Sequence, residues 1–176
     1  MTKRKRSVAD GRAMLGLAAA ALYGAGLAGC ATIDGSASPE AAPASITYET
    51  GPCFGACPVY RVTVTVDGQG WFEGRRFTAV DGERRFSLSR AQYEAFARHL
   101  SPLRPDTGSI RYSGENCTMM ATDMPSASVE WKDPGGSVQN LYFYFGCDME
   151  KNRALAERLR AAPELLPIAA FVRPAK

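Results

Sequence analysis

Gly51-Pro52-Cys53-Phe54-Gly55-Ala56-Cys57-Pro58-Val59-Tyr60 sets two cysteines, two glycines and two prolines directly before an alternating run, Tyr60 to Val66. Glycine and proline at this density exclude a helix or a central strand, so the segment reads as a tight ordered loop that holds its two thiols close together. In the run that follows, Tyr60, Val62, Val64 and Val66 share one face and Arg61, Thr63 and Thr65 the other. That period of two marks a half-buried strand.

Working outward, Asp67-Gly68 is a hairpin signal, and Asp81-Gly82 is a second turn between Trp71–Phe77 and Glu83–Leu88. Upstream, Ile46 to Glu49 is a short strand and the expected start of the folded domain. Ser89-Arg90-Ala91-Gln92 has the form of a capping box and opens a helix with Tyr93, Phe96, Ala97 and Leu100 on one side. Pro102 to Asp123 shows no periodicity and reads as irregular. Ser126–Lys132 and Val138–Phe145, joined through Asp133-Pro134-Gly135-Gly136, form a second hairpin with Ala127, Val129 and Trp131 on one face. Asp148 is then a candidate N-cap for a helix carrying Leu155, Ala156 and Leu159, which Pro163 ends, and the apolar tail Leu165–Val172 is expected to pack back on the domain. The expected fold is α+β, with a small antiparallel sheet of about five to six strands in two hairpin or meander units, packed by two to three helices.

The N-terminus carries a different signal. Lys3 to Arg6 is basic, Ala13 to Ala28 is apolar and built of small residues, and Leu27-Ala28-Gly29-Cys30 closes it. This order reads as an export signal over residues 1–29. The tetrad resembles a bacterial lipobox, and the resemblance implies that Cys30 is diacylglycerated, becomes the first residue after cleavage and is then N-acylated. Several acyl chains on one cysteine give stable attachment, whereas a single chain is marginal. Ala31 in place of aspartate after the cysteine resembles the signal for outer-membrane sorting in enteric bacteria. Residues 30–45 are small and polar, with prolines at 39 and 43, and read as a disordered tether spanning on the order of 20 Å. Residues 46–176 form the single domain.

The formal charge of +3 misleads about partners, because five of the 21 basic residues and one of the 18 acidic residues precede Cys30. From Cys30 onward 16 basic residues face 17 acidic ones, a net charge of −1. Such a balance lacks the footprint of a nucleic-acid binder. Arg61, Arg75, Arg76, Arg84 and Arg85 crowd the first meander, yet Glu73, Asp81 and Glu83 are interleaved with them, so a solvated sheet face is expected.

Setting Cys30 aside leaves four cysteines in an exported chain, which suits two disulfides with three possible connectivities. Cys53 with Cys57 and Cys117 with Cys147 is the favoured arrangement. There is no Gly-x-Ser-x-Gly elbow, no His-Glu-x-x-His helix and no Cys-x-x-Cys, so no catalytic constellation and no cofactor site is legible. Asp123, before Met124-Pro125, reads as a turn or cap residue. His99, the only histidine, reads as a structural side chain beside the apolar stripe of its helix.

Two resemblances bear on function. The block Pro-Cys-Phe-Gly-x-Cys-Pro-x-Tyr, the Asp67-Gly68 hairpin, Thr122-Asp123-Met124-Pro125 and the Tyr142–Gly146 strand end occur in that order, and together they resemble bacterial lipoproteins of the domain of unknown function 6438 family. The resemblance covers Ile46 to Val172 and implies a small α+β domain behind a signal, with no activity to carry over. Cys53-x-x-x-Cys57-Pro58 also resembles the copper loop of Sco-type assembly factors, in which case Cys53, Cys57 and His99 hold the metal, with thioethers of Met119, Met120 or Met124 nearby. The principal expectation is therefore a lipid-anchored envelope protein, non-enzymatic, serving binding or structure. It is held to the membrane through Cys30 on the periplasmic side of the outer membrane, and a copper or thiol-disulfide redox protein is the alternative.

Overall fold

A computed structural model describes residues 42–173. The leader, Cys30 and most of the expected tether lie outside the described residues. Seven strands form one sheet: β1 (Ser45–Thr50), β2 (Val59–Thr65), β3 (Gln69–Arg76), β4 (Gly82–Ser87), β5 (Ser109–Tyr112), β6 (Ser126–Lys132) and β7 (Val138–Tyr144). Three α-helices accompany them, α1 (Arg90–Leu100), α2 (Arg153–Ala161) and α3 (Ala169–Val172). The spatial order is β4-β3-β2-β1-β6-β7-β5.

The α+β class holds, but the sheet is mixed and has seven strands instead of five to six antiparallel ones. The additional strand is β5, inside the segment expected to be irregular, and it pairs parallel to β7 with Ile110 opposite Leu141. Ser109-Ile110-Arg111-Tyr112 lies on the sheet edge and is mostly exposed, so it has no alternating apolar pattern to announce it. β4 and β5 are the two outer strands, so the chain leaves the sheet at one edge and re-enters at the other, carrying α1 between them.

Strand alternation then decides which side is covered. Ile46, Tyr48, Tyr60, Val62, Val64, Phe72, Val129, Trp131, Leu141 and Phe143 are buried beneath Tyr93, Phe96 and Leu100 of α1 and Ala156 and Leu159 of α2. Val66 departs from the expected pattern: β2 ends at Thr65 and Val66 is exposed. The capping box at Ser89 and Gln92 is formed. Tyr48 donates its hydroxyl to the Leu159 carbonyl at 2.9 Å, which ties the central strand to α2. Burial pushes the Tyr48 phenol well above its ordinary range, so it remains a donor. α2 gives way after Ala161 to a 3-10 turn with proline at its start, and the tail folds back so that Phe171 meets Phe72 and Phe86 at ring distances of 5.5 and 6.1 Å.

The opposite face is polar and internally matched. Glu49 accepts from Arg61 at 2.7 Å and from Arg75 at 2.6 Å, and Arg75 also meets Glu73 at 3.0 Å. These half-exposed pairs satisfy charge and contribute little to stability, on the order of 1 kcal/mol or less each. Arg61 and Arg75 of the basic meander thus lie on a solvated sheet face matched by acids, whereas Arg84, opposite the buried Phe72, falls on the other side of the sheet in its exposed edge strand.

Candidate functional site

The cysteine loop occupies one end of the sheet, between the last residue of β1 and the first of β2. Thr50 closes its neck: its Oγ1 donates to the Pro58 carbonyl at 2.8 Å and accepts from the Tyr60 amide at 3.0 Å. Gly51 N–H donates to the Ser126 carbonyl at 2.8 Å, and Phe54 N–H donates to the Asp123 carbonyl at 3.2 Å. Asp123 holds φ at 65°, a left-handed conformation that aspartate tolerates better than most residues. Asp123 is therefore a turn residue whose carbonyl receives the cysteine loop. Cys53 and Cys57 are joined by a disulfide with a Cα separation of 5.8 Å.

Cys117 and Cys147 form the second disulfide, with a Cα separation of 5.3 Å, and it fastens the segment after β5 to the end of β7. Asp148 is not the N-cap of α2, which starts at Arg153 behind Asn152. Its carboxylate instead accepts from the Met119 amide at 2.7 Å and the Thr118 amide at 3.0 Å, while its own N–H donates to the Met119 carbonyl at 2.9 Å. Those two backbone donors hold the carboxyl below the usual aspartate range, the Met119 bond counting most. Ala121 N–H donates to Gly146 at 2.9 Å, and the fit is so close that a Cβ on Gly146 would run into the Ala121 carbonyl and the Tyr144 ring. The pattern Asp-after-cysteine is visible in the sequence, but a cap of the following helix and a clamp on a distant loop look alike there.

The side chains this end presents are apolar. Phe54 is 86% exposed, Met119 71%, Met120 53%, Phe77 51% and Met149 48%, five of the eight exposed large hydrophobic residues among those described. Backbone connections place them together: Phe54 follows Cys53, Met120 bridges Cys147, Met149 follows Asp148, and Phe77 follows Arg76, which pairs with Val59. The described chain arrives at the other end. Pro43 accepts a hydrogen bond from the Tyr93 hydroxyl and Ala44 N–H donates to Lys132, and β1 then carries the chain about 17 Å to Thr50 at 3.4 Å per residue. The exposed phenylalanine and methionine tip had no sequence signal, because nothing in a loop's composition tells which of its apolar residues the fold will cover.

His99 lies on α1, with Nε2 2.8 Å from the Arg158 carbonyl oxygen of α2. No group of three or more His, Cys, Asp or Glu side chains is gathered into a metal-binding arrangement among the described residues, so His99 does not join Cys53 and Cys57. Met124 packs against the core, apart in exposure from Met119 and Met120.

Fold and site together define a small α+β domain in which two disulfides hold the loops at one end of a mixed sheet. The chain belongs to the family described as a domain of unknown function, DUF6438, whose model matches residues 44–163. No curated protein and no solved structure matches the chain.

Proposed function

We propose that this is a lipid-anchored protein of the bacterial cell envelope, attached through Cys30 on the periplasmic side of the outer membrane, whose domain is a non-enzymatic binding module. The cysteine arrangement carries the reading. Four of the five cysteines are taken by two disulfides, which suits an oxidising compartment, and the fifth is the cysteine of Leu27-Ala28-Gly29-Cys30. The test is acylation. Radiolabelled palmitate enters the wild-type protein in a lipoprotein-processing host and is absent from Cys30→Ser, while the intact mass of the mature protein rises by four hydrogen atoms on reduction of the two disulfides. Equal palmitate incorporation in both proteins would remove the anchor from the proposal.

The binding surface in this reading is the disulfide-bound tip. Phe54, Met119 and Met120 stand at the end remote from where the tether joins, which favours a protein partner over the protein's own membrane, and methionine adapts to irregular apolar surfaces. A photo-crosslinking residue in place of Phe54 is expected to yield one dominant protein adduct in the envelope, lost in Met119→Ser. Adducts with lipid alone would point the tip at the bilayer instead. Phe54→Ser leaves stability within about 0.5 kcal/mol of wild type, as expected for an exposed side chain, so lost binding is separable from misfolding.

A further inference from the structure

The two disulfides offer an attacking thiol different prospects. Cys147 is 0% exposed, so its sulfur is shielded, and attack at Cys117 would expel the Cys147 thiolate into a site closed to water. Cys53 and Cys57 are both partly exposed, so a thiolate displaced from either one keeps contact with solvent. Exposed bridges of this kind are the ones that exchange.

The accessible bridge also holds the most exposed side chain of the tip. Phe54 is 86% exposed, and Gly55 and Ala56, which complete the ring, are exposed as well, so burial fixes none of the three. Ring closure and the bond from Phe54 N–H to the Asp123 carbonyl at 3.2 Å fix them instead, with Gly55 at φ 137°, a region that residues with side chains rarely enter. The neck is fastened separately by Thr50 Oγ1, to the Pro58 carbonyl and the Tyr60 amide. Opening the ring therefore frees Phe54 and leaves the pairing of β1 with β2 in place.

We infer that the Cys53–Cys57 disulfide is a redox switch on the tip: closed, it presents Phe54 to the protein partner, and opened by a dithiol reductant it releases that side chain and weakens the complex. A thiolate of the dithiol attacks one sulfur of the bridge, the S–S bond breaks, and the other cysteine leaves as a thiolate and takes a proton. The second thiol of the dithiol then resolves the mixed disulfide. Two electrons and two protons pass to Cys53 and Cys57, and the dithiol is oxidised to its own disulfide. The inference rests on the reading of the tip as a protein-binding surface, and it adds what controls that surface, because a loop held in its bound conformation loses less entropy on binding.

The first test needs no partner. The full chain in detergent micelles is titrated with dithiothreitol, alkylated and mapped by peptide mass. Cys53 and Cys57 are expected to be alkylated while Cys117 and Cys147 remain joined, and the Phe54 amide is expected to exchange its hydrogen about tenfold faster or more once the ring is open, with Val62 in the core unchanged. Opening of Cys117–Cys147 first or together with it, unchanged Phe54 exchange, or lost protection at Val62 would overturn a local switch. The second test makes the open form genetically, as Cys53→Ser/Cys57→Ser, so that no reductant reaches the partner. With a photo-crosslinking residue in place of Phe54, the protein adduct is expected to fall about tenfold or more in this variant. Equal adduct in both proteins would overturn the switch and leave the tip as a binding surface. Absence of the adduct already in the protein with both disulfides would overturn the binding surface, and the switch with it.

Discussion

His99 and Arg158 bond to one another's backbone: His99 Nε2 donates to the Arg158 carbonyl at 2.8 Å, and Arg158 Nη1 donates to the His99 carbonyl at 2.9 Å. The two residues lie 59 positions apart, near the C-terminal ends of α1 and α2, where helices have carbonyl groups without intrahelical partners. Arg158 thus reaches a carbonyl at the end of α1, while His99 adds a second donor to the Arg158 carbonyl, which already accepts from the Ala162 amide.

This clasp predicts coupling without metal chemistry. His99→Ala and Arg158→Ala should each lower stability by about 1 kcal/mol in urea denaturation. Because each removes one of two bonds between the same helix ends, the double variant should lose less or more than the sum by a measurable interaction energy of about 0.5 kcal/mol or greater. Strict additivity would show the two bonds to be independent. Stoichiometric Cu(I) retained by protein isolated from the envelope and lost in His99→Ala would instead revive the metal reading.

The two disulfides should differ in their effect on stability because they close loops of different length. Sequence separations of 4 and 30 residues correspond in the chain-entropy model to about 2 and about 4 kcal/mol. Replacing Cys117 and Cys147 together by serine should therefore lower the melting temperature more than replacing Cys53 and Cys57 together. The reverse order would mean that the cysteine loop, seated on Asp123 and Ser126, constrains the native state more than its ring size implies.

Asp148 should set part of the acid response. Its folded-state carboxyl titrates below the ordinary value because the Met119 and Thr118 amides favour the charged form. A depressed pKa contributes stability that is fully present above the unfolded value, about 3.9, and is lost as pH falls through the lower folded value. Asp148→Asn, which tolerates the φ of 42° at this position, should be less stable than wild type by a constant margin near neutral pH, and that margin should shrink below about pH 4. Thermal melts of both proteins from pH 7 to pH 2.5 measure it. A margin that does not change with pH would show that the clamp works as well without charge.

What the residues determined by themselves was local. The period of two from Tyr60 to Val64, the Ser89–Gln92 capping box and the nearness of Cys53 and Cys57 all act within a few residues of chain, and each appears in the structure where its pattern stands. The tail behind Pro163 was legible one step less directly, through the cost of leaving apolar surface exposed, and the pairing of Cys117 with Cys147 through the even count of cysteines left once Cys53 and Cys57 are joined. The rest was decided by which strands became neighbours. β5 has no pattern of its own and exists because β7 offers it a free edge. The meeting of the cysteine loop with Asp123, the turning of Asp148 toward Met119 and the His99–Arg158 clasp all join groups brought together by sheet order and by the crossing of α1. Hydrogen bonds and apolar contacts reach only a few ångströms, so a sequence states the partners a residue can accept, and the register of the sheet chooses among them.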